Sequence, residues 1–364
     1  MARLPLACCT ALLCGACATL PPNVAREPSY ALADPEGTAL GQAFLPEVVA
    51  QPGKSGFMPV VAGANAYLLR AAMAGLAEHT LDLQYYIWED DLTGRMMLHD
   101  VMRAAGRGVR VRLLLDDVHA EGETGLFSRI DAHPRIEVRL FNPFERRDAR
   151  MVGWLLDGAR LNHRMHNKVM IADNAIAITG GRNIGDHYFA VDALSNFRDL
   201  DLLAIGPVVQ DLSSMFDLYW NSGWSYPIVT IEPNGYTEDD ARRLASELRR
   251  EMHRPTLPFA VDGSDDAMRE RLLSRRDAFS WGRARTIFDN PMKPEGDHLD
   301  GRGVAEFLTD TFDRVQRELL IETAYFIPGG RGVDRLASLV DRGVEVIVLT
   351  NSLATNDVLA AHAG

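Results

Sequence analysis

HNKVMIADNAIAITGGRN, residues His166 to Asn183, decides how the rest of the chain is read. Two apolar runs, VMIA and AIAIT, have the character of buried strands. Between them stand Asp173 and Asn174, a pair that tolerates the positive φ angles of a tight turn, so the pattern predicts a hairpin. Its polar ends are what a hairpin leaves unexplained. Only three lysines occur among 38 basic residues, Lys54, Lys168 and Lys293, and one stands here, two positions from a histidine. Period-2 alternation puts His166 and Lys168 on one face. Gly180 and Gly181 offer bare backbone to a ligand, and Asn183 follows.

These residue types suit phosphoryl-group handling. Imidazole is a nucleophile near neutral pH and can carry a covalent intermediate. Lysine supplies a compact positive charge for phosphate oxygens, and asparagine adds a neutral donor. With cationic side chains carrying that charge, no metal or other cofactor is expected. A core histidine beside a snorkelling lysine is the structural alternative. The scarcity of lysine weighs against it.

Upstream, ANAYLLRAAMAGLAEH and TGRMMLHDVMRAAGRG have helical spacing, and LDLQYYIW, VRVRLLLDDV and RIEVRLFNP read as strands. Alternating strands and helices predict an α/β layer with a mixed, largely parallel sheet flanked by helices. Downstream, FRDLDLLAIGP reads as a strand and VVQDLSSMFDLYWNSG as a helix. Residues 18–58 read as a spacer, 59–228 as a first lobe and 229–284 as a charged helical connector. Residues 285–364 read as the beginning of a second lobe.

That last reading rests on an internal repeat. LDLQYYIW is echoed by IETAYFIP, and MRAAGRGVRVRLLLDD by ASLVDRGVEVIVLTNS, in the same order. No second H-x-K follows, since His253, His298 and His362 all lack a lysine two positions on. The expectation is an amino-terminal portion of a longer protein, with little or no transferase activity by itself.

The net charge of −12 argues against bulk electrostatic binding of nucleic acid. Arg135, Arg139, Arg146, Arg147, Arg150, Arg160 and Arg164 crowd one segment, either as a solvated face or as a contact to anionic headgroups. All four cysteines lie within the first 17 residues, in an apolar leader that ends CGAC. This is a secretory signal whose last cysteine, Cys17, is a candidate for lipidation; ordinary cleavage is the alternative. Both place the body outside the cytoplasm, on the periplasmic side of the cell envelope.

H-x-K-x4-D followed by G-G-x-N resembles the signature of the phospholipase D superfamily. The chain is most similar to its bacterial cardiolipin synthases, the C-type in particular, over roughly residues 60–364. The resemblance implies a phospholipase D-like lobe and a transphosphatidylase acting on an anionic phospholipid, such as phosphatidylglycerol, at a membrane surface. By the motif match His166, Lys168 and Asp173 would be the catalytic set, with His166 the nucleophile that forms a phosphatidyl-histidine. Asp173, at the turn, would hold the loop rather than act chemically. Lys168, Gly181 and Asn183 would bind phosphate. A carboxylate in RDLDL, Asp199 ahead of Asp201, would orient a motif histidine. A second motif, in a C-terminal lobe beyond this sequence, would complete the site. Lipid hydrolysis, less readily a nuclease, and a non-catalytic membrane-tethered phosphate-binding fragment are the alternatives.

Overall fold

The computed structural model describes residues 20, 26–119, 124–145, 150–192, 194, 196–233, 235–253, 265–274, 276–292 and 303–352. The leader with Cys17 lies outside them, as do Lys293, Arg146 and Arg147. These residues form two compact units.

The first unit opens with α1 (Ala39–Val49), β1 (Ser55–Val60), α2 (Gly63–Leu76), β2 (Thr80–Tyr85), α3 (Leu92–Gly106) and β3 (Arg110–Asp116). It continues with α4 (Thr124–Asp131), β4 (Ile136–Phe141), α5 (Arg150–Leu161), β5 (Val169–Ala172), β6 (Ile176–Gly180) and β7 (Asp201–Ile205). It closes with α6 (Pro207–Trp220), β8 (Ser225–Pro227), α7 (Ile228–Ile231), α8 (Glu238–Met252), α9 (Asp265–Leu273) and β9 (Ser280–Gly282). The strands make one mixed sheet in the order β8-β4-β3-β2-β5-β6-β7-β1-β9. Parallel pairing is confined to β2, β3 and β4. Every other pairing is antiparallel, so the balance differs from the largely parallel sheet expected. Part of the reason is local: β5 and β6 are joined by the short turn Asp173–Ala175, and short connections join antiparallel neighbours, whereas β7 pairs with β6 only after the long segment 181–200.

Side-chain alternation explains the layers. Leu81, Leu83 and Tyr85 of β2 join the apolar core with residues of α2, α3, α4 and α8. Asp82, on the opposite face, meets Arg112 of β3 in a two-pronged ion pair with both bonds at 2.7 Å. Arg112 also pairs with Asp217 of α6 at 2.8 Å and lies over the Phe216 ring. Helix α6 starts on Pro207 after Gly206 at φ 86°, and Ser55 Oγ accepts the Val208 N–H there.

Residues 18–58 are not a spacer where they are described. Ser29 N–H donates to Asn221, Ala31 N–H to Asp217, and the carbonyls of Ser29 and Tyr30 accept from Arg112 and Arg110. Arg26 donates to the carbonyl of Ser225 in β8. Strand β1 then enters the sheet between β7 and β9. The low periodicity of the arm concealed this, because its own backbone, rather than its side chains, makes most of these bonds. The connector is likewise built into the first unit: α8 packs on α3, α9 on α2, and β9 pairs with β1.

In the second unit lie α10 (Val304–Asp313), β10 (Glu318–Thr323), α11 (Gly329–Asp341) and β11 (Glu345–Thr350). β10 and β11 are parallel with α11 between them in sequence, as β2 and β3 are with α3. The helix stops match bond for bond. Gly108 and Gly343, both at positive φ, follow helices closed by Val109 N–H to Ala104 and Val344 N–H to Leu339.

Candidate active site

The predicted hairpin is β5–β6, with Asp173 and Asn174 both at φ 51°. Ala175 is an extra residue in the turn, since Ala172 pairs with Ile176. His166 and Lys168 precede β5 rather than lying within it. They emerge at the edge where the parallel strands β2, β3 and β4 end, the usual place for a ligand crevice in such sheets.

His166 is exposed, and its ring sits edge-on to Tyr86 at 4.7 Å between centroids. Lys168 is only 6% exposed. Its Nζ donates to the His166 carbonyl at 2.8 Å and lies 5.3 Å from the centre of the Tyr86 ring. Tyr86 follows β2 directly, so one ring supports both motif residues. Burial pushes the Lys168 ammonium down to about 8, against the opposing pull of Asp199 and Asp116.

Asp116 ends β3 and is buried. Burial raises its carboxyl to about 6, while Arg164 at 2.9 Å and the N–H groups of Val118 and Met165 hold the charged form. The bond to Met165 fixes the chain immediately before His166.

Asp173 stands at the other end of β5. Its carboxylate accepts the backbone N–H groups of Glu78, His79 and Thr80, each at 2.8 Å. A carboxylate so occupied secures the entry to β2, and its place in the catalytic set is corrected to that of an anchor. The glycines also differ in purpose from a ligand cradle. A Cβ on Gly180 would lie 2.4 Å from the Leu200 carbonyl oxygen, and one on Gly181 would lie 2.4 Å from an Asp199 carboxylate oxygen. They admit the segment entering β7. Gly180→Ala is expected to destabilise the fold by about 1–3 kcal/mol, read as a lowered thermal midpoint. An unchanged midpoint would contradict the close approach.

Asn183 is buried; its Oδ1 accepts the Ile87 N–H at 3.0 Å and its Nδ2 donates to the Tyr188 hydroxyl at 2.9 Å. It thereby ties the segment after β6 to the segment after Tyr86. Asp199 and Asp201 do not share a role. Asp199 is half-buried ahead of β7; burial raises its carboxyl, with Arg182 and Lys168 opposing. The cations that act on it are thus Arg182 and Lys168. Asp201 is fully buried between Arg70, at 3.0 Å, and Arg182, at 3.3 Å. Arg70 in turn donates to the Tyr85 hydroxyl at 3.0 Å.

The described arginines of the crowded segment are mostly internal. Arg139 donates to the Trp220 carbonyl, Arg150 to the Val118 carbonyl, Arg160 to Asn142, and Arg164 to Asp116. For these four, neither a solvated face nor a headgroup patch fits. Among the described residues, no cluster of three or more His, Cys, Asp or Glu is placed to hold a metal ion. No helix there is long and apolar enough to cross a membrane.

Comparison with known proteins agrees with this arrangement. Residues 71–220 match the family described as cardiolipin synthase, PLD-like domain. Cardiolipin synthase C of Escherichia coli (strain K12) is 39% identical over 336 residues, covering 89% of this chain and 68% of that protein. The chain belongs to this phospholipase D-like cardiolipin synthase family. An uncharacterized protein of Helicobacter pylori (strain ATCC 700392 / 26695) is 28% identical over 90% of this chain and 66% of its own length. The crystal structure of phosphatidylserine synthase from Haemophilus influenzae Rd KW20 shares the fold at 13% identity. It aligns over 87% of this chain and 67% of its own, with a TM-score of 0.54. The chain thus spans about two thirds of the length of these relatives. It is an enzyme of the phospholipase D superfamily, of the phospholipid phosphatidyltransferase kind.

Within this cardiolipin synthase family member, the sequence alone did not single out Tyr86, Asp116, Arg70 or Arg182, and it offered Arg164 only as a headgroup contact rather than as the partner of Asp116. Asp116 had a usable signal, a carboxylate closing an apolar strand, LLLDD, at the ligand-binding end. Arg70, inside an apolar helical face, had none.

Proposed function

We propose that this lobe transfers a phosphatidyl group through His166. The observation that carries the reading is an exposed imidazole held by Tyr86 beside a buried ammonium. A ring nitrogen of His166 attacks phosphorus of a phospholipid, the bond from phosphorus to the headgroup oxygen breaks, and a phosphatidyl-histidine forms. Lys168 balances charge on the non-bridging oxygens, where a desolvated cation acts most strongly. The hydroxyl of an incoming phosphatidylglycerol then takes the phosphatidyl group, gives up its proton and frees the imidazole. This forms cardiolipin from phosphatidylglycerol and a second phospholipid donor. The proton for the departing headgroup comes, in this reading, from a second motif histidine on a C-terminal lobe. The internal repeat and the greater length of the E. coli relative support that arrangement. The apolar, cysteine-ending leader supports a place on the periplasmic side of the envelope, lipid-anchored at Cys17.

A donor whose leaving group needs no proton separates the two halves of this proposal. With the p-nitrophenyl ester of phosphatidic acid, the 364-residue chain is expected to release a stoichiometric burst of p-nitrophenol and to retain a lipid label on protein that acid releases, as a nitrogen–phosphorus bond requires. With phosphatidylglycerol alone, thin-layer analysis is expected to show little cardiolipin. Absence of both burst and label would refute the histidine intermediate. Robust cardiolipin formation by the monomer would refute the need for a second lobe.

The burst rate is expected to follow a bell in pH. It falls below about 6, as Asp116 protonates and releases Arg164 and the Met165 N–H, and above about 8, as Lys168 loses its charge. Stability changes the other way on the alkaline side. Between about 8 and the usual lysine value near 10.5 the unfolded chain binds more protons, so the Lys168 contribution rises with pH. A burst rate that stays level from pH 7 to 10 would contradict the assignment to Lys168.

A further inference from the structure

The register of the sheet places apolar side chains beside the histidine. Asp201 of β7 lies opposite Gly180 on one side and Val60 on the other. One step further, the Leu200 carbonyl accepts the Gly181 N–H at 3.1 Å, and Val61 directly follows the last paired residue of β1. Leu200 is 53% exposed and Val61 69% exposed. Both sit on the edge from which His166 and Lys168 emerge, three strands across at most, or about 15 Å. The segment leading into Leu200 adds Leu194, 97% exposed, and an exposed Arg198.

These groups are held in place. Arg182, itself buried, donates to the carbonyls of Val60, Val61 and Tyr188. Phe197 packs on His187 and Tyr188 with centroids 5.6 and 5.1 Å apart, and its N–H donates to the His187 carbonyl at 2.9 Å. Asp199, next in line, has a carboxylate oxygen 2.4 Å from where a Cβ on Gly181 would lie. A segment anchored on both sides of its exposed leucines presents them to something that covers them.

We propose that Val61, Leu194 and Leu200, with Arg198, form a rim that seats in the interface of an anionic phospholipid bilayer next to His166. The choice of occupant rests on the lipid-substrate reading above: a diacyl substrate reaches the imidazole across this edge, with its phosphate toward Lys168 and its chains beside the leucines. Arg198 supplies the local positive charge that a chain of net charge −12 otherwise lacks at an anionic surface. Leucine at the headgroup–acyl boundary is the usual partner of such a cation.

Amide hydrogen exchange tests this locally, whatever the leader does. Vesicles of phosphatidylcholine with phosphatidylglycerol are expected to slow exchange at least about fivefold in peptides covering residues 60–63 and 190–201. Phosphatidylcholine alone slows it less, and peptides of α1 do not change. The double variant Leu194→Glu/Leu200→Glu is expected to lose the protection while keeping the wild-type thermal midpoint, which separates a lost rim from a lost fold. Wild-type peptides unaffected by anionic vesicles, with the burst intact, would overturn the rim and leave the chemistry standing. Protection without vesicles that grows with protein concentration would also overturn it, by showing a second copy on this face. Protection without any burst would support the rim and count against the lipid chemistry.

Discussion

Replacing His166 with asparagine is expected to abolish the p-nitrophenol burst, a fall of at least about 10³-fold, and to leave no lipid on the protein. The size follows from what is removed. Asparagine keeps a polar group of similar reach but cannot attack phosphorus, and His166 is the ring that stands against Tyr86 next to Lys168. Folding is expected to be unaffected, because His166 is exposed and the anchor of this stretch is the buried Met165 N–H on Asp116. Lys168→Met is the informative companion. It keeps the nucleophile and the bulk but removes the charge, so the burst slows without vanishing. Phosphatidyl-enzyme formation by His166→Asn would move the nucleophile elsewhere.

The second large effect concerns stability. Asp201→Ala is expected to cost about 3–5 kcal/mol, since it strands the buried guanidinium groups of Arg70 and Arg182 without a counter-charge. Against a typical total of about 5–15 kcal/mol, that puts the variant near its unfolding threshold at growth temperature. Urea titration reads it directly, and a loss below about 1 kcal/mol would show that the pair is not the keystone its burial suggests. Asp199→Ala, two residues away, separates the two aspartates. It is half-exposed, so stability changes little. Removing its charge deprives Lys168 of the first of its two stabilising partners, and the alkaline limb of the burst moves to lower pH.

The candidate groups were legible because their chemistry breaks the local pattern. A lysine beside a histidine at the mouth of an apolar hairpin has few structural uses, and His166 and Lys168 do lie together where the parallel strands end. The supports were not legible, for two reasons. Asp201 and Arg182 gain meaning only when β1, β6 and β7 are paired, and pairing is a long-range property. Asp173, Gly180 and Gly181 belong to the motif, yet what they serve is the anchoring of β2 and close approach of the segment entering β7. Spacing reports that a position is constrained and not by what. The sheet balance failed similarly: strands alternating with helices announced the parallel β2–β3–β4 core, whereas the antiparallel remainder depends on the long-range return of β7 to β6 and on where β1 inserts.

The strapped arm sets a length scale. Ser225, which holds Arg26, is in register with Phe141, and Phe141 with Asp116. The arm therefore joins the lobe at the same edge as the histidine and runs away from it toward Arg110. From Cys17 to Arg26 an extended chain covers at most about 30 Å. An acyl chain on Cys17 would make that stretch a short leash fastened four strands from β5 along this edge, about 19 Å away. The imidazole would stay within about 50 Å of the headgroups at every tilt of the lobe, and search for substrate would become motion over a surface rather than through a volume.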